Sequence, residues 1–394
     1  MAKTLIIDLA AGRQTPFLRG ILTRSLQAAG LPFEDAFNTA SSIRQLLDDK
    51  TEISTSELRE LVAQKLENAY GETVAQRYQT PSHTPATILV ERSNKQSFPF
   101  SRGELRRSLE CCGLTEEDAS VIVARIYDHL ISIGTERISS RDLGLLTHRH
   151  LRREFGASAA KRYLVWTDYR HGHRPLLILI GGAPGCGKST MATELATRLD
   201  IVRTQSTDML REVMRMMLPS RLLPILHTSS FDAWKALPSP SESLTDRNGL
   251  LTDGYLTQVE LLSVAGEAVL QRALTERVSL ILEGVHMHPS FLNSIPKEED
   301  AIVVPIMLSV ADEELLRQRF TGRGQQAPNR RAKRYLDNFD AIWRLQNFLK
   351  KEAKRAGFHV IINDNREDAI RTVMGAVIDA LSKDFSGTPE EVFT

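Results

Sequence analysis

A glycine-rich segment near the middle of the chain has the residue types and spacing of a phosphate-binding loop. Residues 182–189 read G-x-x-x-x-G-K-S and directly follow the apolar run Leu176–Ile180. Glycines let the backbone N–H groups of such a loop surround phosphate oxygens, and the N-terminus of the next helix adds its positive dipole. Lys188 is then placed to reach the β- and γ-phosphates of ATP, and the Ser189 hydroxyl to ligate Mg²⁺. The residues predicted to bind the nucleotide are Gly182, Ala183, Pro184, Gly185, Cys186, Gly187, Lys188, Ser189 and Thr190.

An acidic residue followed by two arginines comes next. Asp208 precedes Arg211 and Arg215, which share its helical face at i+3 and i+7. One interpretation makes Thr207 or Asp208 an ordinary helix N-cap. The other places the Asp208 carboxylate on a substrate hydroxyl, as base or orienting acceptor, with the arginines on anionic groups of the same substrate.

Glu283 ends the apolar run of residues 278–282 and is followed by glycine. This pattern resembles a Walker B element with glutamate where aspartate is commoner, and it predicts that Glu283 holds Mg²⁺ through water or orients the attacking hydroxyl. His286 follows closely and is predicted near the substrate. A zinc pair of His286 with His288 is disfavoured.

A basic run downstream predicts a lid that closes over the transferring phosphate. Arg319 and Arg323 are its catalytic candidates. Nucleic-acid binding is disfavoured, because exposed aromatic residues do not alternate with these basic residues and the domain is not strongly basic. The run consists of Arg317, Arg319, Arg323, Arg330, Arg331, Lys333 and Arg334.

The elements that must position these residues alternate between strand and helix, which predicts an α/β fold with a doubly wound parallel sheet. Ligands of such sheets bind at the carboxyl ends of the strands. The long segment between the Asp208 helix and Val278 is predicted to set acceptor specificity and to contain a helix over Gln258–Leu274. The predicted strands cover residues 176–180, 201–202, 278–282, 302–308 and 360–362, and helices begin at Lys188, Asp208 and Asp312.

The N-terminal part of the chain is an internal repeat. Residues 17–31 recur at 100–114 with nine of fifteen positions identical. Each copy begins with a short apolar strand, at Leu5–Asp8 and at Ile88–Glu91, and continues into amphipathic helices. The repeat predicts two small, mainly helical domains of one fold at 1–82 and 83–165, then a polar linker at 166–175 and the sheet domain at 176–394.

Composition limits the classes of function. The chain has 394 residues, 42% of them apolar, and a net charge of +1, which gives no general reason to expect a nucleic-acid or membrane partner. Its three cysteines form no disulfide framework. Neither a signal peptide nor an 18-residue apolar run is seen, so we expect a cytoplasmic protein. Whether it forms a homo-oligomer is left open.

The repeated units are similar to ATP-cone domains. Each combines a strand, a turn, a helix rich in Arg and Leu, a Gly-Leu break and a closing Ala-x-Arg-Tyr. ATP-cone domains usually carry Lys-Arg-Asp-Gly after the first strand, whereas this chain has residues 9–13 and, closer to the pattern, residues 91–95. Nucleotide sensing and a structural or oligomerising role are therefore both kept as interpretations.

Across nearly the whole chain, the loop at 181–190, the Ser206–Arg211 motif, His227–Trp234 and Leu282–His286 resemble the 2-phosphoglycerate kinase family. The resemblance implies a P-loop kinase that transfers the γ-phosphate of ATP to 2-phosphoglycerate with Mg²⁺, giving 2,3-bisphosphoglycerate. It assigns Lys188, Ser189 and Arg319 or Arg323 to ATP, and Asp208, Arg211 and Arg215 to the acceptor. An inositol phosphate or other phosphorylated polyol is the alternative acceptor. An ATP-sensing regulator without kinase activity is the alternative from another class.

Overall fold

A computed structural model of the chain describes residues 4–8, 13–47, 50–79, 88–92, 96–172, 174–237, 247–295, 300–326 and 330–393. The chain forms two compact units, one of Met1–Thr87 with Ile131–Glu136 and one of Ile88–Leu130 with Arg137–Thr394. Within the described ranges, every helix is too short or too polar to span a bilayer.

The first copy of the repeat builds a three-stranded sheet covered by helices. Its central strand pairs antiparallel with the second strand and parallel with the third. Apolar residues at helical spacing, among them Leu22, Leu26 and Val62, are buried and form its core. The elements are β1 (Leu5–Asp8), β2 (Arg13–Pro16), α1 (Arg19–Ala28), α2 (Phe33–Leu46), β3 (Glu52–Ser54), α3 (Thr55–Tyr70) and α4 (Glu72–Gln79).

The second copy repeats this topology. Its first strand again pairs antiparallel with the next strand and parallel with the third. Both copies therefore have the same strand order. The parts of the two turns at 9–12 and 93–95 lie outside the described residues. The elements are β4 (Leu89–Glu91), β5 (Ser97–Pro99), α5 (Arg102–Cys111), α6 (Glu116–Ser132), β6 (Arg137–Ser139) and α7 (Ser140–His171).

Helix α7 runs from the second copy to the edge of the large sheet. It is kinked at Gly156, where φ is +83°. Residues 166–171, interpreted above as a polar linker, are helical, and Trp166 is buried. The Tyr169 hydroxyl lies 3.3 Å from Ser279 Oγ. The segment is therefore helical as far as His171, and His173 lies outside the described residues.

A five-stranded parallel sheet forms the centre of the second unit, in the order β11-β10-β7-β9-β8. The strands are β7 (Leu176–Gly181), β8 (Arg203–Ser206), β9 (Leu280–Gly284), β10 (Ile302–Ser309) and β11 (His359–Ile362). The helices are α8 (Lys188–Leu199), α9 (Thr207–Met217), α10 (Arg247–Thr275), α11 (Glu313–Gln326), α12 (Arg330–Asp337), α13 (Phe339–Arg355), α14 (Arg366–Ser382) and α15 (Pro389–Val392). Three 3-10 turns cover Pro224–His227, Ala233–Ala236 and Pro289–Ser294.

Helices cover both faces of this sheet. Leu177 and Leu179 of β7 pack in one core with Tyr255 of α10 and Leu345 of α13. Because side chains alternate along a strand, Ile178 and Ile180 of β7 point to the other face, where α8 and α14 contact the sheet. Every residue of β7 is buried, as in a central parallel strand. The predicted α/β architecture with a parallel sheet is thus confirmed.

The prediction of a strand at 201–202 is wrong by two residues. The strand is β8, Arg203–Ser206, and Val202 before it is 94% exposed. Because β8 is the edge strand, its residues are not buried on both faces, and a polar sequence suffices for pairing with β9. The apolar residues 201–202 therefore precede the strand and are not part of it.

Candidate active site

The glycine-rich loop joins the carboxyl end of β7 to the N-terminus of α8. Gly187 precedes the helix with φ of +86°, and a Cβ there would lie 2.5 Å from Asn363 Nδ2. Lys188 is 8% exposed, and its Nζ donates a hydrogen bond to Ala183 O at 3.1 Å. The loop therefore curls around its own lysine, with the positive end of α8 beneath it.

Two buried amide side chains hold this loop from outside, and the sequence analysis did not identify either. Asn363, after β11, donates from Nδ2 to Cys186 O at 2.8 Å. Gln346 of α13 accepts from Cys186 Sγ at 3.1 Å, and its amide also pairs with both backbone groups of Val310. The loop conformation is thus fixed by the ends of β10 and β11 as well as by its own glycines.

Arg319, a predicted lid residue, supports the loop too. Its guanidinium donates to Gly185 O at 3.5 Å and also to Asn363 O, so it bridges the glycine-rich loop and the end of β11. The side chain of Arg323 lies outside the described part of the chain. Arg334 is described on α12, where its Nη2 lies 3.7 Å from Asp232 Oδ2.

Glu283 meets Ser189 at the start of α8. Leu280 and Leu282 of β9 pack in the core with α10 and α13, so the alternation of the strand turns Glu283 toward α8. Ser189 Oγ donates to Glu283 Oε1 at 2.8 Å, and Glu283 is 6% exposed. These are oxygen ligands of the kind that Mg²⁺ prefers. The described residues contain no group of three or more His, Cys, Asp and Glu able to hold a metal, so an ion here needs oxygens from water or a ligand.

The side chain of Asp208 does not cap helix α9 and is available to a ligand. The N-cap of α9 is Ser206, whose hydroxyl accepts from Asp208 N at 3.2 Å. The interpretation of Thr207 or Asp208 as the cap is therefore wrong, because the preceding residue already fills that position. The side chain of Asp208 is 58% exposed and lines the same pocket as Lys188.

His286 lies beneath the pocket. It is fully buried and does not line the cavity. Gln258 of α10 donates from Nε2 to Ile225 O at 2.7 Å, so its Oε1 is left to accept from His286 Nε2 at 2.8 Å. The other ring nitrogen then accepts from the Thr207 hydroxyl at 3.3 Å.

The charge of His286 follows from this burial. Desolvation lowers the pKa of His286 to about 3, although the Asp208 carboxylate, 3.9 Å from Nδ1, acts in the opposite direction. The imidazole is therefore neutral at physiological pH, and its contact with Asp208 is not an ion pair. It connects the start of α9 to α10 through hydrogen bonds alone.

Of the two arginines predicted on α9, one reaches the pocket. Arg211 lines it and donates from Nη1 to Thr228 O at 2.6 Å. Arg215 pairs with Glu212 at 2.8 Å and is not among the lining residues.

One pocket of the second unit therefore brings together eight of the sixteen predicted site residues. It extends from the glycine-rich loop and Glu283 to the start of α9 and the turn after the first 3-10 helix. Its lining residues are Pro184, Gly185, Gly187, Lys188, Ser189, Asp208, Arg211, Ser229, Ser230, Phe231, Glu283, Val285 and Tyr335. The sequence analysis placed residues 227–234 in a specificity region but did not single out Ser229, Ser230 or Tyr335.

Several other proteins are similar in sequence to this chain along most of their own length. A protein of Pyrococcus furiosus named 2-phosphoglycerate kinase is 35% identical over 291 residues, which cover 74% of this chain and 93% of that protein. The chain belongs to the 2-phosphoglycerate kinase family. A family member of the same name from Methanothermobacter thermautotrophicus is 37% identical over 73% of this chain and 92% of its own. One from Methanocaldococcus jannaschii is 34% identical over 77% and 96%.

The extent of these matches corrects one expectation. Family similarity covers about three quarters of this chain, not nearly all of it, while it covers more than nine tenths of the three relatives. The chain therefore carries about a quarter of its length beyond what it shares with them. No protein-family model matches the sequence.

Proposed function

We propose that this protein is an ATP-dependent kinase of the P-loop class that phosphorylates the hydroxyl of 2-phosphoglycerate and forms 2,3-bisphosphoglycerate and ADP. The observation that carries the proposal is that Lys188 and Asp208 line the same pocket. Family membership supports the acceptor, because the three relatives are named 2-phosphoglycerate kinase.

The glycine-rich loop is the proposed site of the ATP phosphates. Its N–H groups and the start of α8 accommodate the phosphate oxygens, and Lys188 neutralises charge on the transferring group. Ser189 and Glu283 are the residues that would hold Mg²⁺, which supplies further charge neutralisation when bound. Arg319 supports the loop and keeps it in the binding conformation.

Asp208 orients the acceptor. Its carboxylate accepts the hydroxyl proton as the oxygen forms a bond to the γ-phosphorus, and the bond from that phosphorus to the bridging oxygen of ADP breaks. Arg211 binds an anionic part of the same acceptor. His286 acts from below through Thr207 and does not touch the substrate.

We further propose that the protein is a cytoplasmic enzyme whose partners are small molecules. Nucleic acid and membranes play no part in the proposed reaction. The two repeated domains remain candidates for nucleotide sensing or for homo-oligomer formation, with the second copy the better match to an ATP-cone domain.

ADP release from Mg·ATP by the purified protein tests the proposal. We expect 2-phosphoglycerate to stimulate release, and 3-phosphoglycerate, D-glycerate and inositol monophosphates to do so weakly or not at all. Selective stimulation by an inositol phosphate would identify that compound as the acceptor and leave the proposed mechanism unchanged. Slow turnover that no acceptor changes would refute the kinase assignment and favour an ATP sensor.

A further inference from the structure

A turn at the far end of the pocket presents polar groups that lack partners. Ser229 and Ser230 follow the 3-10 turn Pro224–His227, and both line the pocket with Arg211. Ser230 is only 4% exposed, yet no described residue forms a hydrogen bond with its hydroxyl. Because Ser230 lines the pocket, its hydroxyl is available to donate a hydrogen bond to a ligand there.

Arg211 shows the same feature. Its Nε is buried and has no hydrogen-bond partner, and no described carboxylate lies within ion-pair distance of its guanidinium. The ion pair described on α9 joins Arg215 to Glu212 instead. Because no described carboxylate neutralises it, this guanidinium can bind an oxyanion in the pocket that it lines.

The turn is held rigidly in this position. Gln258 donates to both Ile225 O and Thr228 O, at 2.7 and 3.4 Å, and the Thr228 hydroxyl donates to Ile225 O at 2.8 Å. Asp232 N donates to Ser229 O at 2.9 Å and closes the turn. The serine hydroxyls and the arginine are therefore arranged before any ligand arrives, which lowers the entropy lost on binding.

We propose that Ser229, Ser230 and Arg211 form the subsite for the phosphate group of the acceptor. The inference rests on the proposed function, and it adds the residues that recognise the group already present on the acceptor. Two serine hydroxyls and a guanidinium edge suit the three oxygens of a phosphate better than the two of a carboxylate.

The test compares Ser230→Ala and Arg211→Lys with the wild type and with Ser220→Ala, a matched change at an exposed serine outside the pocket. Formation of the bisphosphorylated product is quantified by chromatography, with glycerol 2-phosphate and D-glycerate as inhibitors. The first carries the phosphate without the carboxylate, and the second the reverse. KM is measured for both 2-phosphoglycerate and ATP.

We expect Ser230→Ala and Arg211→Lys each to raise the KM for 2-phosphoglycerate and the inhibition constant of glycerol 2-phosphate by about 10- to 100-fold. The KM for ATP and inhibition by D-glycerate should stay within about twofold, as should every parameter of Ser220→Ala. Weaker inhibition by D-glycerate alone would show that the subsite binds the carboxylate and would overturn the proposal. An unchanged KM for 2-phosphoglycerate in both variants would overturn it as well.

A failure of the proposed function gives a different result. If the wild-type protein does not phosphorylate 2-phosphoglycerate, calorimetric binding of glycerol 2-phosphate replaces the kinetic measurement. Binding by the wild type that Ser230→Ala weakens would then support the phosphate subsite without the proposed reaction. Absence of binding by the wild type would refute the subsite.

Discussion

Gly284→Ala should disconnect the end of β9 from the start of α9. A Cβ at Gly284 would lie 1.8 Å from Thr207 Oγ1 and 2.8 Å from Thr207 Cβ. Nonbonded carbon atoms prefer separations of about 3.5–4.0 Å, so Thr207 must move by about 1 Å or more. Thr207 is 1% exposed and hydrogen-bonded to His286. Because Asp208 is the next residue in the chain, this shift also moves Asp208.

The expected effect has two parts. Overpacking of this kind costs about 1–3 kcal/mol of folding free energy. Displacement of a positioned group by about 1 Å lowers the rate of transfer by about 100-fold. Because the glycine-rich loop is held by Asn363 and Gln346, not by Thr207, ATP binding should change little.

Three measurements on one preparation check this. Thermal unfolding reports stability, fluorescent-nucleotide displacement reports ATP binding, and product formation from Mg·ATP and 2-phosphoglycerate reports kcat. Gly375→Ala is the matched control, because a Cβ there meets no atom within 4 Å in the interior of α14. It should be neutral or stabilising by about 0.5–1 kcal/mol. A Gly284→Ala protein with wild-type kcat and melting temperature would refute the close approach on which this reasoning depends.

Three further predictions concern the ionisable groups of the site. Lys188→Ala should lower kcat by about 100- to 1,000-fold, because it removes a cation from the transferring phosphate; near wild-type product formation would contradict that role. Asp208→Asn should lower kcat strongly and leave ATP affinity unchanged, and an equal loss of both in titration and rate assays would indicate a structural role instead. Acidification from about pH 6.5 toward pH 3 should lower stability, because unfolded His286 binds a proton that its buried, neutral native form does not. In denaturant titrations, His286→Asn should weaken the pH dependence of the free energy of unfolding. The control His359→Asn, at an exposed histidine, should leave that pH dependence as in the wild type.

The sequence predicted those parts of the fold that are determined by local pattern. Leu176–Ile180 is apolar without interruption because β7 is buried on both faces, and Lys188 begins a helix as the motif requires. β8 was misplaced because an edge strand needs no apolar pattern. Ser206, one residue before the predicted caps, shows that a cluster of polar residues does not identify which of them caps a helix.

The site could be predicted only where the residues form a motif. Lys188 and Asp208 follow strand ends, Glu283 lies near the carboxyl end of β9, and the three line one pocket. Asn363 and Gln346 lie more than 150 residues from the loop that they hold, and no local pattern marks them. The burial of His286 depends on Gln258 and Tyr255 of α10, which pack above it only in the folded chain.

Helix α7 limits how this protein can be divided. Its first turns belong to the second copy, and in its last turns Tyr169 contacts Ser279, directly before β9. Near the other end of the chain, Phe393 fills the space above Gly144, where a Cβ would lie 2.3 Å from its ring. Because α7 and the final residues both connect the second copy to the sheet, excising that copy would expose the ring of Phe393, which packs on Gly144 and Tyr163. A catalytic fragment able to fold on its own must therefore begin before the second copy and extend to Phe393.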